Sequence, residues 1–280
     1  CIDVIKNNFY EIDISPNFRI GDTSEIEILK YEVLEEIFEE KYEANDEDFI
    51  KLINTYTTYR DDTLLKNLIL KIDTYIQSNP FPEKWLSEKV EMFNIGENLE
   101  EDFSKTVWGK ILLEEFEEEI IDDILTLEKT KKDLNKYPEL VKFYLTICDD
   151  INQLENIKNN LDSWNKTFEI TNNLEFKKWP VDKKNTLEAK ENAKKVRDIV
   201  KKKIKNKLNK TLVFNSKEAN QDIYDMYDIL SKLKDLIFEF GKRFEKTKKD
   251  KNMLDFNDIE HLALKILIKQ TEDGNIQRTE

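Results

Sequence analysis

The chain has 280 residues with 39 % apolar and 37 % charged side chains, and its formal net charge is −14. This composition excludes a disordered chain, and the two cysteines, Cys1 and Cys148, are too few for a disulfide framework. No apolar run approaches the roughly 20 residues that cross a bilayer, so we expect a cytoplasmic protein with no membrane partner.

Apolar residues recur at three- and four-residue spacing along most of the chain, and only five Gly and five Pro interrupt them. We therefore predict an all-α fold, a multi-helix bundle with long amphipathic helices. Before the first predicted helix, Gly21 and Asp22 punctuate a loop, and either Thr23 or Ser24 can cap the helix that follows. The predicted helices, in chain order, cover residues 24–42, 46–57, 62–77, 83–94, 99–128, 138–163, 186–209, 217–248 and 256–269.

The predicted helices at 99–128 and 138–163 are long enough to pair as a hairpin. Their apolar residues permit either a coiled-coil hairpin or part of a packed helical domain. Because the heptads are not sustained, we favour the packed domain. The residues expected to anchor the cores are Trp85, Trp108, Trp164 and Trp179.

Charge is segregated along the chain. Residues 177–210 hold 14 basic and 4 acidic side chains, a local charge of +10, so the remainder carries −24. An apolar stripe from Ala193 to Leu208 at helical spacing would face inward and leave most of the cations on the other faces. Such lysines suit contact with a phosphate backbone rather than the reading of bases. The candidate DNA-binding residues are Lys190, Lys194, Lys195, Arg197, Lys201, Lys202, Lys203 and Lys205.

A solvated lysine face is the alternative, with the acidic helix at 114–123 as its countercharge. The acidic clusters of that helix do not predict a metal site, since Mg²⁺ and Ca²⁺ sites usually draw oxygens from several elements. His261, the only histidine, is expected to be a surface or packing residue. We predict no catalytic and no metal-binding residue in this chain.

Residues 240–264 form the most informative passage, an aromatic and Lys-rich helix, a short break and then a second helix. Asp255, Asn257 or Asp258 can cap that second helix, and apolar residues follow at helical spacing. The passage resembles superfamily 1 DNA helicases of the UvrD/Rep type and is most similar to the AddA-type subunits of bacterial ATP-dependent helicase/nucleases. The residues of this family motif are Asp255, Phe256, Asn257, Asp258 and Glu260.

A second passage, from Phe9 and Tyr10 through Asp13 to Asp22, resembles the AddA run that follows a Ser-Phe-Cys motif, of which Cys1 would be the last residue. The two passages occur in the order and at the distance of the family. In that family a helical insertion, subdomain 1B, interrupts the first RecA-like motor domain. The resemblance therefore implies flanks of the motor domain at 1–13 and 239–280, and the helical 1B insertion at 14–238.

The resemblance also implies what a full-length relative would do. It implies ATP-driven unwinding from double-stranded DNA ends in double-strand break repair, with Mg²⁺, a C-terminal nuclease and an AddB-type partner subunit. It further implies a phosphate-binding loop before Cys1 and a Mg²⁺-holding Asp-Glu motif after Glu280, and the start at Cys rather than Met agrees with a fragment.

No G-x-x-x-x-G-K-[ST] pattern for phosphate binding occurs in the sequence. We therefore expect no cofactor in this chain and no ATPase or nuclease activity of its own. A helical scaffold that binds other proteins is the main alternative function. A stand-alone enzyme is the weakest of the three interpretations.

Overall fold

The computed structural model describes residues 1–8, 12, 14, 17–57, 61–182, 187–270 and 276–278. Helices account for 75 % of the part of the chain that the structure describes, which confirms the predicted all-α fold and its high helical content. In the described part of the chain, none of the helices combines the length and the apolar character that crossing a membrane requires. The helices are α1 (Ile2–Asn7), α2 (Thr23–Glu43), α3 (Glu47–Tyr56), α4 (Thr63–Ile76), α5 (Pro82–Glu91), α6 (Val107–Leu134), α7 (Val141–Lys158), α8 (Trp164–Asn172), α9 (Glu188–Thr211), α10 (Ser216–Asp250) and α11 (Phe256–Leu267).

Four short strands occur among the residues that the structure describes. Two of them pair in parallel and the other two pair antiparallel. They are β1 (Arg19–Ile20), β2 (Met253–Leu254), β3 (Ile268–Gln270) and β4 (Ile276–Arg278).

Capping residues set where the helices begin. The capping residue of α2 and the start of α6 differ from the prediction. Asp22, rather than Thr23 or Ser24, caps α2, because its carboxylate accepts the backbone N–H of Glu25 at 2.9 Å. The helix predicted from residue 99 begins only at Val107, after a 3₁₀ turn at Phe103–Lys105. A hydroxyl or carboxylate in extended backbone before the first turn is the usual start of a helix.

Helix α8 was not predicted. The helix expected at 138–163 ends at Lys158, and α8 begins at Trp164. The carboxylate of Asp102 accepts the hydroxyl of Ser163 at 2.6 Å and the backbone N–H of Trp164 at 2.8 Å. Burial opposes the ionised form of Asp102, but hydrogen bonds from Ser163, Ser104 and backbone amides outweigh it and hold its pKa at about 2. A long-range contact therefore fixes the start of α8.

The described residues form two compact units. The first unit comprises Cys1–Phe93 and Met226–Glu280, and the second unit comprises Asn94–Asp225. Helix α10 contributes residues to both. The boundaries at 13/14 and 238/239 that the resemblance implies stay a prediction.

The first unit contains two cores. The larger is built from α2, α3, α4, α5 and α10, and the smaller from α1 and α11, with Ile5 and Ile259 at its centre. Strands β1 and β2 pair in parallel, with Arg19 opposite Met253 and Ile20 opposite Leu254. The two passages that carry the family resemblance therefore meet in this unit, although Phe9, Tyr10, Asp13, Ser15 and Pro16 lie outside the described residues.

The second unit is a packed helical domain. Helices α6 and α7 form a hairpin, and α9 packs on α6. The favoured alternative for the hairpin, a packed domain rather than a free coiled coil, is confirmed. Among the residues that share this core are Phe116, Ile120, Leu127, Phe143, Ile147, Leu154, Trp164, Val200 and Ile204.

Candidate nucleic-acid interface

Helix α9 is held in the second unit by a buried ion pair. The Arg197 side chain is 2 % exposed and donates two N–H groups to the carboxylate of Asp150, one of them at 2.9 Å. The same guanidinium donates to the backbone carbonyl of Lys177 at 2.7 Å and lies 5.5 Å from the ring centre of Trp179. Burial raises the pKa of Asp150, and the hydrogen bond and charge of Arg197 oppose that shift. Arg197 therefore joins three segments inside the core.

Two further cations of α9 pair with the acidic helix α6. Lys203 Nζ lies 3.1 Å from Asp123, and Lys207 Nζ lies 2.7 Å from Glu115 and 3.1 Å from Glu119. Burial raises the pKa of Asp123, and Lys203 opposes that shift. The acidic helix thus supplies countercharge to part of α9, as the alternative interpretation of the lysines expected.

Four exposed lysines of α9 lie along one side of the helix, and we name them the lysine face: Lys194, Lys195, Lys202 and Lys205. Each is exposed, and none forms an ion pair with any residue that the structure describes. At about 100° and about 1.5 Å per residue, they occupy an arc of about 100° over about 16 Å of helix. Asp198 is an exposed acidic residue on the same arc. The lysine face therefore keeps a net positive charge.

The eight predicted DNA-binding residues thus divide into two groups. One is the lysine face, and the other consists of cations that contact other groups of the protein: Lys190, Arg197, Lys201 and Lys203. Arg197 is a correction, because a guanidinium that is buried against Asp150 cannot reach a phosphate. Its position four residues after Ala193 and three before Val200 is the spacing of the apolar stripe, and that signal was in the sequence.

The ammonium groups of Lys190, Lys201 and Lys203 each contact another group of the protein, so they are only partly available to a phosphate. Lys190 donates to the backbone carbonyl of Asp182 at 3.0 Å, and Lys203 pairs with Asp123. Lys201 is half-buried with its Nζ 5.2 Å from the ring centre of Phe176. Burial and the charge of Arg197 lower the pKa of Lys201.

The family motif forms a second cluster, at the start of α11 in the first unit. Asp255 caps the helix by accepting the backbone N–H of Asp258 at 2.8 Å, and Asp258 accepts the backbone N–H of Asp255 at 2.8 Å. The ammonium of Lys248, which is 5 % exposed, lies 2.7 Å from Asp255 and 2.6 Å from Asp258. The motif is therefore a capping box closed by a buried lysine.

The two carboxylates of this capping box differ in their pKa. Burial opposes ionisation of Asp255, but the charge and hydrogen bond of Lys248 outweigh it and lower the pKa. Burial raises the pKa of Asp258, with Lys248 opposing. Of the other motif residues, Asn257 is half-buried, Glu260 is exposed, and Phe256 is 67 % exposed.

A cavity of about 990 Å³ in the first unit is lined by this motif. Asp255, Asn257 and Asp258 form part of its wall. His261 also lines it and donates its Nε2 hydrogen to the carbonyl of Gln77 at 3.0 Å, so the histidine has a packing contact. Across the residues with a described position, no group of three His, Cys, Asp or Glu side chains is arranged to hold a metal ion.

The chain is similar to curated bacterial proteins over nearly its whole length. It is 36 % identical over 280 residues to the AddA subunit of the ATP-dependent helicase/nuclease of Clostridium beijerinckii, covering 99 % of this chain and 22 % of that relative. It is 33 % identical over 285 residues to the same protein of Clostridioides difficile, with the same coverage. Its counterpart in Ruminiclostridium cellulolyticum is 34 % identical over 288 residues, covering 100 % of this chain and 23 % of the relative.

No protein-family model matches the chain. The relatives nevertheless agree in name, and the chain spans about a fifth of their length. The chain belongs to the AddA family of ATP-dependent helicase/nuclease subunits, and it is a fragment of such a protein.

Proposed function

We propose that this chain is the DNA-contacting helical region of an ATP-dependent DNA helicase/exonuclease. In the full-length protein, ATP and Mg²⁺ drive unwinding from double-stranded ends in double-strand break repair, in the cytoplasm and with an AddB-type partner subunit. The fragment itself contributes no ATPase or nuclease residue. The relatives whose names support this proposal share more than 30 % of their aligned residues with the chain.

The observation that carries the proposal is the lysine face. Its four ammonium groups are exposed and lack a carboxylate partner in the described part of the chain, whereas Lys203 and Lys207 of the same helix are paired with α6. An unpaired row of cations on a protein of net charge −14 is where a polyanion can approach. Each phosphate that a lysine neutralises releases condensed counterions, which favours binding most at low salt.

The test is charge reversal of the whole lysine face in the full-length protein with its partner. Lys194, Lys195, Lys202 and Lys205 are all changed to Glu, and binding to a blunt duplex end is measured over a range of salt concentrations without ATP. The dissociation constant should rise, and the slope of log K against log salt should fall in magnitude by up to about 3.6, since each phosphate contact contributes about 0.9.

A matched control keeps the change in net charge and moves it elsewhere in the same unit. Lys110, Lys129, Lys132 and Lys158 are exposed helical lysines outside α9. The same four-fold change to Glu at these positions should leave the salt slope close to that of the parent. If both variants lose the same affinity and slope, the effect is one of net charge, and the lysine face has no special role.

Protein interaction is the second candidate function. Leu125 on α6 and Val141 and Leu145 on α7 are between 55 % and 59 % exposed, although they are large apolar residues. Exposed apolar residues on neighbouring elements mark many protein contact surfaces. Changing Val141 and Leu145 to Glu should reduce capture of the partner protein and leave duplex binding unchanged; unaltered capture would argue against this role.

A further inference from the structure

A pocket of about 580 Å³ opens in the second unit at the C-terminal end of the lysine face. Lys205 belongs to both the lysine face and the pocket wall. The other walls come from the end of α8, from the extended segment that follows it, and from the last turns of α9 and the residues after them. Its lining residues include Asn172, Phe176, Lys205, Asn209 and Leu212.

The wall that carries Phe176 is held in place by its neighbour in sequence. Lys177 pairs with Asp149 at 2.6 Å, and its backbone carbonyl accepts the buried guanidinium of Arg197 at 2.7 Å. Lys201 Nζ lies 5.2 Å from the ring centre of Phe176, so a cation already covers the ring on one side. The pocket therefore has a preformed aromatic wall.

The chemistry of the lining suits a nucleobase. The half-buried Phe176 offers an aromatic ring on which any base can stack, and the buried Leu212 adds apolar atoms to the wall. The side-chain amides of Asn172 and Asn209 each carry donors and an acceptor, and neither has a hydrogen-bond partner among the residues described here. Small-molecule pockets commonly measure 300 to 1,000 Å³.

We propose that this pocket binds one unpaired nucleobase of a DNA strand whose phosphates lie along the lysine face. The inference rests on the proposed function, and it specifies the ligand as a strand end with at least one unstacked nucleotide. Lysines alone hold the backbone without regard to base pairing. The pocket adds a preference for an overhanging or frayed end over a blunt one. Stacking accepts every base, so the preference does not depend on sequence.

The first experiment locates the base directly. Duplex ends with a short single-stranded overhang carry 5-iodouracil at one overhang position per probe, and each probe is irradiated with the full-length protein and its partner, without ATP or Mg²⁺. At one position the cross-link should map to Phe176 or its pocket neighbours. Cross-links that fall outside residues 171–176 and 205–213 at every position would overturn the proposal.

The second experiment measures the preference for the base. Binding to the overhang is compared with binding to an overhang of the same length built from abasic nucleotides, which keeps the phosphates. The parent should bind the base-bearing overhang more tightly by about fivefold or more, since one stacked base contributes at least that factor. Phe176→Leu removes the ring and keeps apolar volume, while Asn209→Trp fills the pocket from an exposed helical position.

Phe176→Leu and Asn209→Trp should each reduce the preference for the base-bearing overhang over the abasic one, and each should leave the affinity for a blunt end unchanged. If both variants keep the full preference of the parent protein for the base-bearing overhang, the proposal is contradicted. Weaker capture of the partner protein by Asn209→Trp, with unchanged DNA binding, would also contradict it and would assign the pocket to a peptide. Reversal of the lysine face tests the proposed function separately, because it lowers blunt-end affinity whether or not the pocket takes a base.

Discussion

Arg197 and the lysine face lie on the same helix and have opposite environments. Arg197 is fully paired in the core, whereas Lys194, only three residues earlier, is exposed and unpaired within the described part of the chain. A second buried and paired cation lies in the first unit, where Lys248 contacts the carboxylates of Asp255 and Asp258. Basic residues therefore occupy two kinds of environment in this protein.

Whether a cation can be buried depends on the hydrogen-bond partners around it and not on its own charge. A buried cation needs carboxylates and carbonyls within hydrogen-bond distance, because an uncompensated buried charge is strongly destabilising. An exposed lysine is already solvated by water and contributes little to stability. Paired cations should consequently control folding, and unpaired cations should control ligand binding.

The largest effect on stability is expected for Arg197→Met. The change leaves the buried carboxylate of Asp150 without its partner and should lower the free energy of unfolding by about 3–5 kcal/mol. Urea unfolding measures the loss. Lys194→Met on the same helix is the matched control and should change stability by no more than about 0.5 kcal/mol. The double change Arg197→Met with Asp150→Leu should recover most of the loss, and no recovery would refute the assigned ion pair.

Lys248→Met should give the next largest effect, a loss of about 3 kcal/mol at neutral pH. The change leaves Asp255 and Asp258 together in a buried site, where their repulsion raises the pKa of one carboxyl above its unfolded value. The folded state then takes up a proton more readily than the unfolded state, so the loss should shrink as the pH falls from 7 to 4. A loss that is constant over this range would count against the cluster.

Asp102 extends the comparison to an anion held by neutral donors. Its pKa of about 2 lies below the ordinary value of 3.8, so its contribution is complete above pH 4 and is lost as the pH falls toward 2. The contribution is about 2 kcal/mol. Asp102→Asn should therefore be less stable than the parent by about that amount at pH 6. Urea unfolding at both pH values should show the gap closing near pH 2, and an equal gap at both would exclude this origin.

The smallest effect on stability is expected on the lysine face. Changing any one of Lys194, Lys195, Lys202 and Lys205 to Gln should alter the free energy of unfolding by no more than about 0.5 kcal/mol. Circular dichroism should detect no loss of helix. A larger loss would show that these lysines have structural partners, and it would remove the contrast with Arg197.

The helices could be predicted from sequence because three- and four-residue spacing is a local property. Residues 62–77, for instance, were predicted as a helix, and α4 runs from Thr63 to Ile76. Helix α8 was missed because its start depends on Asp102, which is 62 residues from Trp164 in sequence. Such a hydrogen bond leaves no trace in periodicity.

The candidate site was predictable to a similar extent. The concentration of lysines in α9 identified the helix, and its apolar stripe gave its inward face. Which cations remain free depends on the carboxylates of other helices, as Lys203 and Asp123 illustrate. The pocket beside Phe176 could not be predicted from the sequence for the same reason, because its walls come from segments that only the fold brings together.

The parallel pairing of β1 with β2 has a consequence for synthesis on the ribosome. Ile20 and its partner Leu254 are separated by about 230 residues. At about 5–20 residues per second, the first strand waits roughly 10 to 50 seconds before its partner has been translated. The helices between them contain local contacts and can form during that interval, which shortens the loop that the pairing must close. Slower translation of this stretch should therefore prolong the period in which the N-terminal strand is open to chaperones or to proteases.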